Sequence, residues 1–556
     1  MKSKTFWLLL AIFAACFALV EAGCSGDDEG GDAAGTGATT DEGGSEAAEQ
    51  VITVNWGTEP RSLDPGLASD TASANILFNI MDPLVKLDGD LNPVPYAAES
   101  VETSEDGTTV TYTLRDDLEW TTGDPVTAED FEYSWKRTVS PELGAYYAYE
   151  FYGIVGAQAY NSCDPKKDKC AALAERMAVN AVDDKTLEVK LTSPQPWFVQ
   201  QSAHHSFLAV HKATIEKFGD RWTEPANIVT SGPFTLERWE HSSAIDITKD
   251  PGWRDADSVK LTRVNGRMIE DGTTAVQAFE ANDVDALLTL PPDETARLKE
   301  TEDYARYDAL ATYYYGFNVE NIPDVKQRRA MALAIPRQSI IDNITRADQI
   351  PATGFTPQGL QGYEAINPDS PWLPPEGDLE QATELMSEVA NPKKEITLYT
   401  NDSPGHREVA SGVRAAWKEL GIDSTIKQQE FQQYLDFLGP PPNKDVDTYR
   451  LGWIGDFVDA FSFLELWTCE SRNNSTNYCN KEYDALIEEA RQTEDNDSRY
   501  AIYGKAEEIL FGENGDVPVL PIYYYTYQGL EHESIKESFE LNLLGQVDLT
   551  KVVVTE

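Results

Sequence analysis

Apolar and polar residues alternate at several places in a way that marks strands. In Thr109-Val-Thr-Tyr-Thr-Leu-Arg115, Val110, Tyr112 and Leu114 fall on one face and threonines on the other, the period of a half-buried strand. Leu187, Val189 and Leu191 repeat that period. Helical spacing takes over elsewhere. Thr127-Ala-Glu-Asp130 supplies a cap and a first-turn acid for a helix that buries Phe131 and Trp135 one turn apart. Near the C-terminus Tyr483, Leu486, Ile487 and Ala490 make one helical face, and Ile502, Ala506, Ile509 and Leu510 another. Val517-Pro-Val-Leu-Pro-Ile522 with Tyr523, Tyr524 and Tyr525 then reads as a strand with proline at its start. No repeat of solenoid length is visible. The irregular mixture predicts an α/β or α+β architecture with more than one lobe, and 556 residues allow two to four domains at roughly 150 residues each.

The first residues read as an export signal. Lys2 and Lys4 precede the almost wholly apolar Phe6–Val20, too short for a comfortable membrane span. Ala22-Gly23-Cys24 resembles the end of a bacterial lipobox, whose cysteine is lipidated and becomes the first mature residue, although Glu21 stands where that motif carries an aliphatic residue. Ordinary cleavage after Ala22 is the alternative. Cysteine parity favours lipidation. Cys16 leaves with the signal, and a lipidated Cys24 leaves two local couples, Cys163 with Cys170 and Cys469 with Cys479. In an exported chain these are expected as short disulfide loops, with zinc ligation as the lesser alternative. Residues 25–50, rich in Gly, Ala, Ser, Thr and acids and without Lys or Arg, form a self-repelling tether.

Composition narrows the class. Forty-five Lys and Arg face 95 Asp and Glu, a formal charge of −50, and 41% of the residues are hydrophobic with 10% aromatic. Such a chain is globular rather than disordered. So acidic a surface also excludes nucleic acid as a partner. The tether holds only eight of the acids, so most of the charge belongs to the folded part.

Enzyme signatures are missing: no G-x-S-x-G, H-E-x-x-H, P-loop or G-x-G-x-x-G. The six histidines never fall in metal-ligand spacing with cysteine, and the adjacent His204 and His205 would point to opposite faces of a strand. Asp88-Gly-Asp90-Leu-Asn92 with Glu99 imitates a calcium loop, but Pro93 sits where the turn needs glycine, so a plain turn is expected. Neither cofactor nor metal is expected.

An ordered series of segments carries a resemblance. It runs from Ala98-Glu-Ser-Val-Glu-Thr-Ser-Glu-Asp-Gly-Thr-Thr-Val-Thr-Tyr-Thr-Leu-Arg115 through Trp120, Gly123-Asp-Pro-Val-Thr-Ala-Glu-Asp-Phe131 and Tyr133-Ser-Trp135. It continues at Glu216-Lys-Phe-Gly219, Asn227-Ile-Val-Thr-Ser-Gly-Pro-Phe234, Thr312-Tyr-Tyr-Tyr315, Arg450-Leu-Gly-Trp-Ile-Gly-Asp456, Ser462-Phe-Leu464 and Val517-Pro-Val519. The chain from Val51 to Glu556 thereby resembles the family 5 extracellular solute-binding proteins of ABC importers, most of all those that bind oligopeptides. The resemblance implies an α/β fold of the type II periplasmic-binding-protein kind, two hinged lobes with an inserted extra domain. Residues 51–81, 206–306 and 524–556 would form one lobe, 82–205 the extra domain and 307–523 the second lobe. It implies a monomeric, non-catalytic receptor that captures peptide outside the membrane, held there only by its lipid, and passes it to permease and ATPase subunits. Rival readings are another solute in the same fold, a peptide-signal receptor, and an exported hydrolase, which the missing motifs disfavour.

Site residues follow from the same resemblance. Asp456 occupies the place of an aspartate that takes the peptide ammonium, where a turn residue is the bland alternative. Gly452 and Gly455 would let a ligand strand approach, with their amides and carbonyls as partners. Tyr147, in Tyr146-Tyr147-Ala148-Tyr149, aligns with a ligand-contacting tyrosine, and Trp453 with a binding-site tryptophan whose alternative is the core. Arg450 and His406 fall where basic residues meet the ligand carboxylate, His406 otherwise being a surface histidine. Asn321 stands where a lysine is common, and Leu435-Asp-Phe-Leu-Gly-Pro-Pro-Pro442 replaces a stretch with a further arginine. Around Ser69-Asp70-Thr71 the family runs a ligand-pairing strand.

The charge itself generates a prediction. Self-repulsion among the excess acids is screened as the Debye length falls from about 10 Å at 0.1 M to about 3 Å at 1 M salt. The melting temperature should rise over that range of NaCl in a thermal scan; a flat or falling value would show that repulsion does not limit stability.

Overall fold

The computed structural model describes residues 49–556 apart from 89–90, 167–168, 361, 363–371, 440–441 and 472, so the expected signal, Cys24 and nearly all of the tether lie outside the described residues. Two long antiparallel strands organise the rest, Tyr304–Phe317 with 14 residues and Val519–Glu531 with 13. Near Glu531 they join Ala286–Leu287, then Val51–Asn55, Arg263–Arg267, Ala244–Lys249 and Phe234–Glu240. Near Val519 they join Thr448–Ile454, Glu395–Asn401 and Asp423–Gln429, and with Ile350–Pro351 paired on Val519–Glu531 one 11-stranded sheet results.

Each half carries its own core. The half near Val519 is packed by Tyr314, Trp417, Tyr434, Phe463 and Trp467. The half near Glu531 is packed by Ile52, Ile76, Val264, Phe539 and Leu549. Between the halves the ladder loses register twice, from Asp308 to Thr312 and at Tyr313–Tyr314. Pro521 lies opposite Tyr314 at the second break, where a residue without an amide proton costs the ladder least. The proline-flanked segment thus begins a strand far longer than its periodicity marks, and the lobe boundaries expected at 306/307 and 523/524 fall inside the two shared strands.

A third core belongs to a four-stranded sheet of Ala98–Thr103, Thr109–Leu114, Thr186–Lys190 and Val179–Ala181. Val110, Tyr112, Leu114, Leu187 and Val189 are buried as the alternation requires. The helix Ala128–Val139 covers them, with Thr127 and Asp130 forming a capping box at its start. Its Trp135 is fully buried and donates to the Phe207 carbonyl at 2.8 Å.

Both cysteine couples are bridged, with Cα–Cα distances of 5.8 Å for Cys163–Cys170 and 4.5 Å for Cys469–Cys479, so the zinc alternative falls. Asp88 accepts from the Asn92 amide at 2.9 Å and closes a turn between Val85–Leu87 and Pro93–Pro95. Among the described residues no helix is long and apolar enough to cross a membrane. Two expectations fail locally. Ser69-Asp70-Thr71 is not a strand: Asp70 caps the helix Thr71–Ile80, accepting from the Ser73 amide at 2.8 Å. His204 and His205 are not in a strand either. They lie at a short 3-10 turn, so their rings sit 4.0 Å apart instead of on opposite faces.

Beyond Thr448–Ile454 the chain is tied down by a buried ion pair. Arg499 donates to Asp459 at 3.0 Å, Tyr503 donates to its other oxygen at 2.7 Å, and both charged side chains are at most 2% exposed. Arg499 also donates to the Thr493 and Glu494 carbonyls and to Asn496, but removing the acid leaves its buried charge without a counter-ion, which costs about 3–5 kcal/mol. Asp459→Ala should lower stability by that amount in urea unfolding, and a loss near zero would mean that those neutral acceptors hold the charge unaided.

Candidate functional site

The strand Thr448–Ile454 is paired along one edge with Tyr304–Phe317, from Thr448↔Phe317 to Ile454↔Ala311. Along its other edge Glu395–Asn401 reaches only Thr448 and Tyr449. Backbone groups of successive strand residues point to alternate edges. The Arg450 carbonyl accepts from Tyr434 at 2.7 Å on the outer side, so Gly452 and Ile454 present amide and carbonyl to the same open edge. Ile454 is 65% exposed. An unpaired edge of this kind is a template for another strand. A Cβ at Gly452 would meet the Tyr525 hydroxyl at 3.1 Å, so glycine keeps this floor low.

Gly455 does something else. A Cβ there would sit 2.7 Å from Leu310 and 2.9 Å from Phe463, and its amide donates to the Leu310 carbonyl at 2.8 Å. Its amide is spent inside the protein, which corrects its expected role as a ligand donor; it permits close packing under the turn that carries Asp456. Ser462 fixes that turn, its hydroxyl accepting from the Asp456 amide at 2.9 Å and its carbonyl from the Trp453 indole at 2.7 Å. Trp453 is half-buried against the core with its only polar atom satisfied, so it can offer a ring surface and no hydrogen bond.

Acids gather at Asp456. Tyr149, not Tyr147, donates to its Oδ1, at 3.0 Å. Tyr147 packs instead on His204 and His205, with ring centroids 4.6 and 5.3 Å away. Glu150 lies buried behind, its carboxylate and its own carbonyl both accepting from Gln201 at 2.7 and 2.8 Å. Glu465 faces Asp456 from the turn after Phe461–Leu464. Burial lifts Asp456 to about 6, against the hydrogen bond from Tyr149 that lowers it. Burial, then the Asp456 charge, lifts Glu465 to about 7, and the same two causes raise Glu150 well above its usual range. No Lys or Arg forms an ion pair with any of the three among the described residues. His205 is held down at about 4 by burial, and His204 well below its usual value, so neither supplies a positive charge.

The opposite imbalance lies toward Arg450. Its guanidinium sits 4.2 Å above the Tyr313 ring and donates to Tyr525 at 2.7 Å and Asn401 at 3.2 Å, while the buried Nε has no acceptor. No carboxylate pairs with it among the described residues. His406, on the helix Pro404–Glu419, approaches Tyr313 with Nδ1 3.4 Å from its hydroxyl. Burial, then the Arg450 charge, drives His406 down to about 4, so it is a neutral polar group at pH 7 and not the basic residue expected. Asn321 is taken up by the carbonyls of Lys444 and Val446, both at 2.8 Å. Tyr149, Glu150, Glu465, Asn401 and Tyr525 are the members the sequence did not single out. A cavity of about 370 Å³ lined by Asn79, Lys86, Tyr307 and Leu543 includes neither Asp456 nor Arg450.

Two lobes sharing crossing strands, with an open edge between them that ends in unneutralised charge, define a non-catalytic solute-binding receptor of the periplasmic type. The family model of bacterial extracellular solute-binding proteins, family 5 (Middle) matches residues 92–475, and the chain belongs to that family; it is not an enzyme. It is 33% identical to the oligopeptide-binding protein OppA of Bacillus subtilis (strain 168) over 90% of this chain and 92% of that one. It is 31% identical to the dipeptide-binding protein DppE of the same organism over 99% and 98%. Among solved structures it is similar to the unliganded open form of the periplasmic murein tripeptide-binding protein MppA, with a TM-score of 0.80 and 28% identity over 91% of this chain and 98% of that one.

The raised carboxyls make stability depend on pH with a definite sign. Glu465 holds its proton more tightly folded, at about 7, than in its ordinary state at 4.5, so its favourable contribution at low pH is lost as pH rises from about 4.5 through 7. Glu465→Gln should therefore raise the melting temperature relative to the parent at about pH 8 and not at about pH 4. An equal difference at both pH values in scanning calorimetry would deny that Glu465 titrates high.

Proposed function

We propose that this chain is the lipid-anchored receptor of an ABC importer, fixed to the membrane through Cys24, and that as a monomer it captures short peptides with a free amino end outside the membrane and delivers them to the permease. The observation that carries the reading is the pair of unneutralised charges on one open strand edge. An α-ammonium answers Asp456, an extended peptide backbone answers Gly452 and Ile454, and an α-carboxylate answers Arg450. The Arg450 guanidinium lies over Gly452, and Asp456 follows on the turn just beyond the strand end at Ile454. Main-chain pairing supplies affinity with little regard to side chains, and the oligopeptide- and dipeptide-binding relatives support peptide over the other solutes. The similarity to a dipeptide-binding protein makes a shorter cargo the second reading. Mass spectrometry of ligand retained by the purified protein separates the two.

A charge-assisted hydrogen bond in a closed cleft contributes about 1.5–3 kcal/mol. Asp456→Asn should weaken a free tetrapeptide by that amount in isothermal titration and leave its N-acetylated form unchanged. Undiminished binding of the free peptide would place the ammonium elsewhere.

A further inference from the structure

The open strand edge ends among apolar side chains that nothing covers. Among the described residues the two most exposed large apolar side chains are Tyr146 at 67% and Ile454 at 65%, and both lie at Asp456. Ile454 is the last residue of its strand and stands two before Asp456 in the chain. Tyr146 opens the short helical turn Tyr146–Phe151, whose Phe151 belongs to the third core. Its ring meets that of Tyr149 edge to face, with centroids 6.4 Å apart. Tyr149 is itself 39% exposed, and its hydroxyl donates to Asp456 Oδ1 at 3.0 Å. Single exposed apolar residues are ordinary. Three that converge on one carboxylate from two distant stretches of chain are not.

The tyrosine turn is braced from behind. Tyr147 packs on Tyr146 with centroids 5.0 Å apart and on His204 and His205 at 4.6 and 5.3 Å. His205 in turn contacts the Ala68 carbonyl at 3.2 Å, and Ala148 and Phe151 are buried beneath the turn. Tyr146 is thus an exposed ring on a fixed support, and a tyrosine so held offers large contact area with little entropy to lose. What covers it follows from the edge beside it. Gly452 and Ile454 leave backbone groups open to another strand, and the edge leads to Asp456. In a peptide the α-ammonium and the first side chain leave the same carbon. A ligand whose ammonium reaches Asp456 therefore holds its first side chain beside the Tyr149 and Tyr146 rings.

We infer that the cleft selects peptides whose first residue is aromatic or large and apolar, its side chain lying against Tyr146, Tyr149 and Ile454 while the α-ammonium rests on Asp456. The inference depends on the peptide-receptor reading above and names the ligand class of that same site. It makes Tyr146 a specificity-determining residue. An aromatic first side chain gains most, because edge-to-face contact with the tyrosines adds to the area it buries.

The test is isothermal titration with three tetrapeptides: phenylalanyl-trialanine, trialanyl-phenylalanine and tetra-alanine. Phenylalanyl-trialanine should bind at least about fivefold tighter than tetra-alanine, the gain expected of a newly covered aromatic ring. Tyr146→Ser should bring those two to within about twofold of each other, and leave tetra-alanine and trialanyl-phenylalanine unchanged. Equal binding of phenylalanyl-trialanine and tetra-alanine to the parent protein overturns the inference, and needs no variant to fold. A preference that survives Tyr146→Ser overturns the role of that residue. So does an equal loss for all three peptides, which would make Tyr146 a support for the anchor and not a reader of the side chain. If tetra-alanine binds in an Asp456-dependent way while the phenylalanyl preference is missing, only this inference falls. If none of the three peptides binds, the peptide-receptor reading falls with it.

Discussion

Everything in this molecule hangs on two antiparallel strands that belong to both lobes. Tyr304–Phe317 and Val519–Glu531 pair from Tyr304↔Leu530 to Gly316↔Val519, and each lobe grows its own sheet and core outward from one end of that pair. A hydrogen-bonded ladder resists stretching and slipping but tolerates twist, most of all where register is already lost. The losses at Asp308–Thr312 and Tyr313–Tyr314 lie where the two cores part. The lobes can thus rotate about the pair without either core being opened. Thr448–Ile454, laid directly beside Tyr304–Phe317, carries the candidate site next to that pivot, so a small rotation there changes how deeply its edge is enclosed.

The site's energetics depend on the same placement. The protein spends its folding free energy on leaving charge unsatisfied: among the described residues a buried arginine over aromatic rings has no carboxylate, and Asp456 has no cation. Such costs are tolerated where a ligand removes them. Enclosure strengthens each charge pair by excluding water, and the same enclosure drives His406 to neutrality and leaves Arg450 as the positive group at its end of the edge. Tyr313, Tyr525 and Asn401 hold that guanidinium in place and do not neutralise it.

Much of this was legible in the sequence where local chemistry dictates geometry. The Thr127–Asp130 capping box, the Val110–Leu114 alternation and the helix built on Tyr483 and Ile487 follow from period and cap alone. Asp456, Arg450 and the glycines were legible only through family resemblance, because an aspartate after a glycine otherwise reads as a turn. The misses have physical causes. Period-two alternation cannot tell a five-residue strand from one of 13 that crosses two lobes. His204 and His205 sit at a turn, where the alternation rule for strands does not apply. That Tyr149 is the one bonded to Asp456 had no signal, because three tyrosines in four positions differ only in which way a short helical turn points them. Glu150 and Glu465 carried no signal at all, since nothing local separates two acids from the 93 others.

That last point bears on what the −50 charge does. A field from so many exposed acids draws any cation, but beyond a Debye length of about 8 Å at physiological salt it is largely screened, so it cannot discriminate one basic peptide from another. Discrimination requires carboxylates that water and salt cannot reach. Burial raises Asp456 and Glu465 to about 6 and 7, which sets them apart from the fully solvated acids of the surface. Surface acidity and site acidity are therefore different properties of one composition. The first sets how the protein behaves in salt; the second, resting on a few desolvated groups beside an open strand edge, sets what it holds.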